Sequence, residues 1–231
     1  MRRRPAYPVR VAGHVMAMGG FDEALVRFAL SLAGKERPRV LYLPTAVADD
    51  PWWIADFHEK APSRGIEPGH LRLFGVPDDP HGKIARADVV LVNGGNTANM
   101  LALWRVHGVD VALREAWERG AVLAGWSAGG NCWFEGSVTD SFSAELDPLH
   151  DGLALVAGSF CPHYDVEEQR RPVYEGLVAD GVLAPGFACD DAAALHFSGA
   201  ELVEAVASQA DAHAWRVTTT GSTPLDMRVL S

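Results

Sequence analysis

The sequence predicts an α/β fold, a three-layer α/β/α sandwich around a mainly parallel central sheet, with residues 1–231 forming a single domain. Three observations predict it. Short apolar runs alternate with longer segments whose apolar residues recur at helical spacing. Glycine or proline punctuates most junctions between them. Two runs, "ADVVLVNGG" and "AVLAG", are apolar almost throughout, as strands covered on both faces must be. With 231 residues, 48% of them hydrophobic, the chain has enough apolar material for a full core.

The elements come in regular order. "HVMAMGG" reads as a first strand ending in glycines, and "FDEALVRFALSLAG" as a helix with Asp22 and Glu23 in its first turn. "RVLYLPTA" is a second strand, halted by Pro44. Asp49 and Asp50 are the candidate caps of a helix through "WWIADFHEKA" that ends near Gly65. "HLRLFG" reads as the third strand and "ADVVLVNGG" as the fourth. "TANMLALWRVHG" and "VDVALREAWERG" are helices, each closed by glycine, and "AVLAG" is the fifth strand. Further on, "GSFCPHYD" reads as a strand ending in His163 and "VEEQRRPVYEGLVADG" as a helix. "GFACDDAAALHFS" is a strand that turns at two aspartates, and the tail from Leu202 has strand-like alternation.

Charge and composition narrow the function classes. Lys and Arg number 20 against 30 Asp and Glu, a net charge of −10, which repels a phosphate backbone and argues against a nucleic-acid partner. No apolar run reaches the ~18 residues of a membrane span. Arg2, Arg3 and Arg4 imitate the start of a secretory leader, but Pro5, Pro8, Arg10 and His14 interrupt the stretch behind them, so a cytoplasmic protein is expected. Cys132, Cys161 and Cys189 are odd in number and lack CxxC spacing, which points away from a disulfide framework or zinc ribbon. Cys161 and His163, two apart on one strand face, are the one hint of a thiol or metal site. A buried apolar role is the simpler account of the three cysteines. The tryptophans Trp52, Trp53, Trp104, Trp117, Trp133 and Trp215 read as core or interface aromatics, and a homodimer is one use for the exposed ones.

In an open parallel sheet, ligands bind at the carboxyl ends of the strands. Four segments stand just after strand-like runs: Asn93–Thr97, Trp126–Gly130, His163–Asp165 and Asp190–Asp191. The second, Gly125-Trp126-Ser127-Ala128-Gly129, fits G-x-S-x-G between a strand and an expected helix. Such a turn is so sharp that the positions two before and two after the serine must be small. It also lifts the hydroxyl above the sheet edge. A glycine-rich turn that binds an anion, or nothing, would give the same pattern.

A serine hydroxyl needs a base. His14, His58, His70, His81, His107, His150, His196 and His213 fall in strand starts, helices, loops or the tail, whereas His163 closes a strand. The imidazole in turn needs a carboxylate to fix its tautomer. Asp191, beside Asp190, would give the order Ser–His–Asp on a strand end, and Asp140 in "GSVTDS" would give Ser–Asp–His. The strand end is the stiffer mount. Two donors are wanted for an oxyanion. The N–H of Ala128 is one, and "NGGNT" offers the other, since Gly94 and Gly95 allow close approach and Asn96 or Thr97 can cap the next helix. Trp126, next to the serine, is a candidate pocket wall.

Taken together, "NGGNTANML", "GWSAGGN", "PHYD" and "CDDAAAL", in that order, resemble the S51 serine peptidases, the peptidase E (aspartyl dipeptidase) and cyanophycinase group. The likeness runs from about Met18 to Ala194. The resemblance implies a fold like the class I glutamine amidotransferase domain, with serine in place of that group's cysteine. It implies hydrolysis of a peptide bond in a small peptide, with no metal or organic cofactor. Ser127 would be the nucleophile, His163 the general base and Asp191 the acid, while Asp140 matches, at a shifted spacing, a further acidic residue of the dipeptidases. Those enzymes hold a substrate carboxylate with a basic residue after the histidine. Here "DVEEQRRP" sets Glu167 near that place, with Arg170 and Arg171 close by, so a preference for N-terminal aspartate is not expected. An esterase of α/β-hydrolase type using Asp140, and a non-catalytic binding module, are the alternatives.

Overall fold

In the first strand, β1 (His14–Met18), the residues Val15, Met16, Ala17 and Met18 are all fully buried, although neighbours on a strand point to opposite faces. Such a strand requires a layer on each side. The computed structural model, which describes residues 13–230, supplies both. Arg2–Arg4 and the interruptions at Pro5, Pro8 and Arg10 lie outside the described residues.

On one side pack α1 (Glu23–Ser31), capped by Asp22, and α2 (Pro51–Arg64), capped by Asp50 and closed by Gly65 in the left-handed conformation. Leu25, Val26, Ala29, Phe57 and Ala61 from these helices meet Met16 and Met18. Between the helices runs β2 (Arg39–Leu43), and after them β3 (Glu67–His70) forms the sheet edge. A short α3 (Pro80–Arg86), capped by Asp79, leads to β4 (Val89–Val92). On the other side α4 (Thr97–His107) and α5 (Val109–Glu118) set Met100, Trp104, Leu113 and Ala116 against Val15 and Ala17, and the chain then enters β5 (Val122–Trp126).

After β5 come α6 (Ala128–Asn131), β6 (Phe134–Thr139), β7 (Asp147–Leu149), β8 (Val156–Cys161), α7 (Arg170–Ala179) and β9 (Gly186–Cys189). The chain ends in β10 (Ala193–Ser198), β11 (Glu201–Ala207), β12 (Ala214–Thr218), β13 (Gly221–Pro224) and β14 (Met227–Val229). The eight-stranded sheet has the order β14-β11-β10-β1-β5-β4-β2-β3, and from β1 to β3 every pairing is parallel. β10 joins it antiparallel to β1. The architecture is therefore the expected α/β sandwich with a largely parallel central sheet.

Besides α3, which the sequence reading does not contain, three features differ from it. A second sheet of six strands, β13-β12-β9-β8-β6-β7, packs beside α4 and α5, with Phe134 and Phe160 stacked 4.9 Å apart at its face. The third strand is "EPGH", not "HLRLFG". Leu71 and Leu73 are buried in irregular chain beyond it, and the Asp49 carboxylate accepts the N–H groups of Leu73 and Phe74 in place of a strand partner. Proline is tolerated in "EPGH" because an edge strand has one side without a ladder. Finally, α7 starts at Arg170, four residues later than expected. No helix among the described residues is long and apolar enough to cross a membrane.

Candidate active site

Parallel pairing brings the carboxyl ends of β1, β5, β4 and β2 to one edge. β5 ends at Trp126, and Ser127 comes next with φ 53° and ψ −116°, a left-handed conformation that side chains disfavour. Its surroundings explain the glycines. A methyl on Gly125 would stand 2.5 Å from the carbonyl oxygen of Gly129, and one on Gly130 would stand 2.9 Å from the Phe160 ring. The turn is closed by the N–H groups of Gly130 and Asn131, each 2.8 Å from the Ser127 carbonyl oxygen. The helix after the turn has four residues. So short a helix adds little dipole field, and the group the turn leaves for an anion is the N–H of Ala128, which has no intrahelical acceptor.

The β4 loop lies against this turn. A methyl on Gly94 would come 3.0 Å from Cδ1 of Trp126 and 3.2 Å from Cβ of Ser127, and one on Gly95 would strike the Ala46 carbonyl. The loop is held from below by a buried chain. The Tyr42 hydroxyl donates to Oδ1 of Asn93 at 2.8 Å, and the Asn93 amide donates to the Gly94 carbonyl at 3.1 Å. Asn96 caps α4 through the Asn99 N–H and donates to the Ser141 carbonyl, while the Thr97 hydroxyl accepts from Asn131. Of the "NGGNT" candidates, Gly94 thus lies against the turn, while Gly95, the next residue, lies against Ala46 and Val47. The side chains of Asn96, half-buried, and Thr97, buried, already have hydrogen-bond partners within the protein.

The other half of the site comes from the second sheet. β8 ends at Cys161, and His163 turns out of the strand at φ 53°, so the two-residue alternation that would set Cys161 and His163 on one face stops short. All three cysteines are fully buried, and burial pushes their thiols up. His163 Nδ1 is 2.5 Å from Oδ1 of Asp191, which lies just past the end of β9. The N–H of Asp191 is fixed by the carboxylate of Asp165 at 3.0 Å. Asp190 turns the other way, buried, accepting the N–H of His213 and the indole N–H of Trp215. Burial raises its pKa against those hydrogen bonds.

One short segment joins the two halves. The Ser127 N–H donates to the Met18 carbonyl at 3.2 Å, and the Gly20 N–H donates to the Asp191 carbonyl at 3.1 Å. A methyl on Gly20 would meet the Asp191 carboxylate at 2.6 Å. Ser127 and the His163–Asp191 pair are therefore fastened to the two ends of the Met18–Gly20 stretch. No hydrogen bond joins the Ser127 hydroxyl directly to His163 among the described residues. Asp140 is 61% exposed at its side chain and 4.0 Å from the buried Arg170, and among the described residues it makes no hydrogen bond to the imidazole. Arg170 also binds Glu167 at 2.7 Å, and Arg171 lies over the rings of Tyr164 and Trp215, so both arginines near the expected basic position are engaged.

Sequence reasoning assigns no role to Gly20, Asp165, Tyr42 or Phe21. Gly20 is legible as the second of two glycines closing a strand, and Asp165 as the last residue of "PHYD". Nothing in the chain marks Tyr42, which sits inside an ordinary apolar strand. Among the remaining histidines, His14 pairs with His196 and His58 with His70, each at 2.9 Å. Among the described residues no group of three His, Cys, Asp or Glu side chains is placed to hold a metal ion.

Backbone turns of this kind, with imidazole and carboxylate on neighbouring strand ends, define a class, the α/β hydrolytic enzymes. The model of peptidase family S51 matches residues 12–205, and the chain belongs to that family. Among its relatives is "Uncharacterized peptidase YgaJ" of Bacillus subtilis, 43% identical over 208 residues that cover 87% of this chain and 90% of that protein. "Peptidase E" of Citrobacter koseri is 30% identical over 148 residues, covering 62% of this chain and 63% of that one. The crystal structure of a peptidase from an acI-B1 Actinobacterium shares the fold, with a TM-score of 0.71 at 18% identity over 94% of this chain and 96% of that one. So does a putative peptidase E from Listeria monocytogenes EGD-e, with a TM-score of 0.62 at 17% identity over 93% and 100%.

Proposed function

We propose that the protein is a serine peptidase that cleaves an amide bond in small peptides through an acyl-enzyme on Ser127. The observation that carries the reading is the fastening of the Ser127 turn and the His163–Asp191 pair to one Met18–Gly20 stretch. In this reading Asp191 accepts a hydrogen bond from Nδ1 of His163, which leaves Nε2 free to take the serine proton. The hydroxyl oxygen attacks the scissile carbonyl, and the N–H of Ala128 with an N–H of the Gly94–Gly95 loop receives the oxyanion. Nε2 then returns the proton to the leaving amine, and water, deprotonated by the same nitrogen, releases the acid. Hydrogen bonds between nucleophile and base are often loose without substrate and tighten in the complex. The reading takes the chain as one domain that needs neither metal nor organic cofactor for this chemistry.

An esterase relying on Asp140 is the weaker reading, since the carboxylate bonded to the imidazole is that of Asp191, while Asp140 has Arg170 as its partner. The experiment is labelling with a fluorophosphonate probe followed by turnover of a dipeptide panel. The expected result is stoichiometric modification of Ser127, lost in Ser127→Ala and His163→Ala, with peptide hydrolysis falling by several orders of magnitude in each. Folded protein that takes no label and cleaves no peptide would leave a binding module as the function.

A further inference from the structure

We propose that Phe21 and Trp126 form an apolar subsite beside Ser127, which receives a large aliphatic or aromatic side chain flanking the scissile bond. The proposal rests on the peptidase reading above and specifies its substrate class. Trp126 adjoins the nucleophile in sequence, and its pyrrole edge and the Cβ of Ser127 both border the same point above Gly94. Phe21 meets Trp126 edge-on, with ring centroids 5.1 Å apart. It directly follows Gly20, the seat of the Asp191 carboxylate, so it stands on the rim between acid and nucleophile. Phe21 is 44% exposed, unusual for an aromatic ring with so much apolar surface nearby. Trp126 itself is only 7% exposed, and the crevice it shares with Phe21 and Trp53 holds about 10 Å³, so the guest side chain lies over the Phe21 ring and does not enter a cavity; Trp52, 62% exposed, packs edge-on against Trp53. Phe21 and Trp52 are thus the accessible faces of an aromatic cluster that begins at the residue before Ser127, and exposed apolar surface beside a reactive residue marks a binding surface.

The charges around the cluster argue for an apolar guest over an acidic one. Lys60, 5.5 Å above the Phe21 ring, is paired with Asp56 at 2.7 Å. Arg64 is almost wholly buried and forks onto Glu23 with bonds of 2.6 and 3.1 Å. Each of these cations thus already has a carboxylate, and a substrate carboxylate would have to displace it.

The test compares two dipeptide series, X-Ala and Ala-X, with X as Leu, Phe, Ala or Asp. Leu and Phe are expected to exceed Ala and Asp in kcat/KM in one of the two series. Phe21→Ala should lower the Leu-to-Ala ratio about ten-fold, the value of a half-buried side chain, and Phe21→Leu should restore most of it. Tryptophan fluorescence then follows the same dipeptides binding to Ser127→Ala, with and without Phe21→Ala, where the Leu peptide should bind about ten-fold more weakly to the double variant. A preference for Asp, or a Leu-to-Ala ratio untouched by Phe21→Ala in both turnover and binding, overturns the subsite while leaving the peptidase standing. The binding pattern without any cleavage by the intact protein supports the subsite and defeats the peptidase reading. Neither binding nor cleavage of any dipeptide overturns both.

Discussion

The carboxylate of Asp191 lies 2.5 Å from Nδ1 of His163, while the adjacent Asp190 is buried on the opposite side, under the β12 segment. Consecutive residues at a strand end thus serve different tasks, one the imidazole and one the fold. Asp191→Asn should lower kcat by about 10²–10⁴, because the amide allows the wrong histidine tautomer. Asp140→Asn should change it only a few-fold. Asp190→Asn should leave kcat largely intact. Parallel steady-state kinetics of the three variants on one dipeptide check the assignment, and a collapse in Asp140→Asn alone would reverse it.

The steric seat of the turn can be tested by two glycines. Gly125→Ala would drive a methyl into the Gly129 carbonyl, and backbone is the least yielding neighbour a methyl can meet. A loss of about 3 kcal/mol is expected. A methyl on Gly75 meets nothing within 4 Å, so Gly75→Ala should be neutral or slightly stabilising through the unfolded chain. Thermal and urea unfolding of both variants give the comparison.

Tyr42 is expected to act at a distance. Its hydroxyl orients Asn93, whose amide fixes the Gly94 carbonyl, and in a trans peptide this also sets the direction of the Gly95 N–H. Tyr42→Phe should lower kcat about ten-fold with KM within two-fold, since the donor is needed most when the oxyanion forms. It should also cost about 1–2 kcal/mol of stability, as the Asn93 oxygen loses its donor. A variant equally destabilised but unchanged in kcat would make Tyr42 a purely structural residue.

Asp88 makes the stability depend on acid. Burial pushes its carboxyl up, but the hydrogen bonds of Lys35 and Arg39 outweigh this and hold the pKa down to about 2. In the unfolded chain an aspartate titrates near 3.9, so the contribution is complete above about pH 4 and is lost as the pH falls towards 2. Urea midpoints measured between pH 5 and pH 2 should fall across that window. In Asp88→Asn the fall should be shallower, from a lower plateau.

The sequence shows the half of the site on the large sheet more clearly than the half on the small one. β4 and β5 are buried on both faces, so their runs are apolar throughout, and Gly125 and Gly129 bracket Ser127 for a steric reason that leaves no other residue type. Asn93–Asn96 is legible for the same reason. β6 and β7 are hidden because "FEGSVT" and "DPL" are short and lack a clear apolar alternation, and without them β8 keeps only β9 as a visible neighbour, so the second sheet does not stand out as a sheet of its own. The boundary of β3 is misleading because Leu71 and Leu73 carry the apolar alternation of a strand while serving as plugs beneath a loop tied to Asp49. α3 is hidden although Asp79 and Pro80 form a sound helix start, since "PDDPHG" reads equally as a turn. The sequence favours Asp191 over Asp140 only through the stiffness of a strand end, because which carboxylate meets His163 depends on the loop that the fold turns towards it.

Ser127 and His163 share one further property: each sits at φ 53°, where glycine would be more comfortable. The molecule thus keeps its two reactive candidates in postures that the rest of the fold must enforce. Evolution towards greater durability would press on these positions first, since Gly in place of Ser127 would relax the turn while removing the hydroxyl. If Ser127 is the nucleophile proposed above, a gain in melting point at that bend would come at the expense of the chemistry.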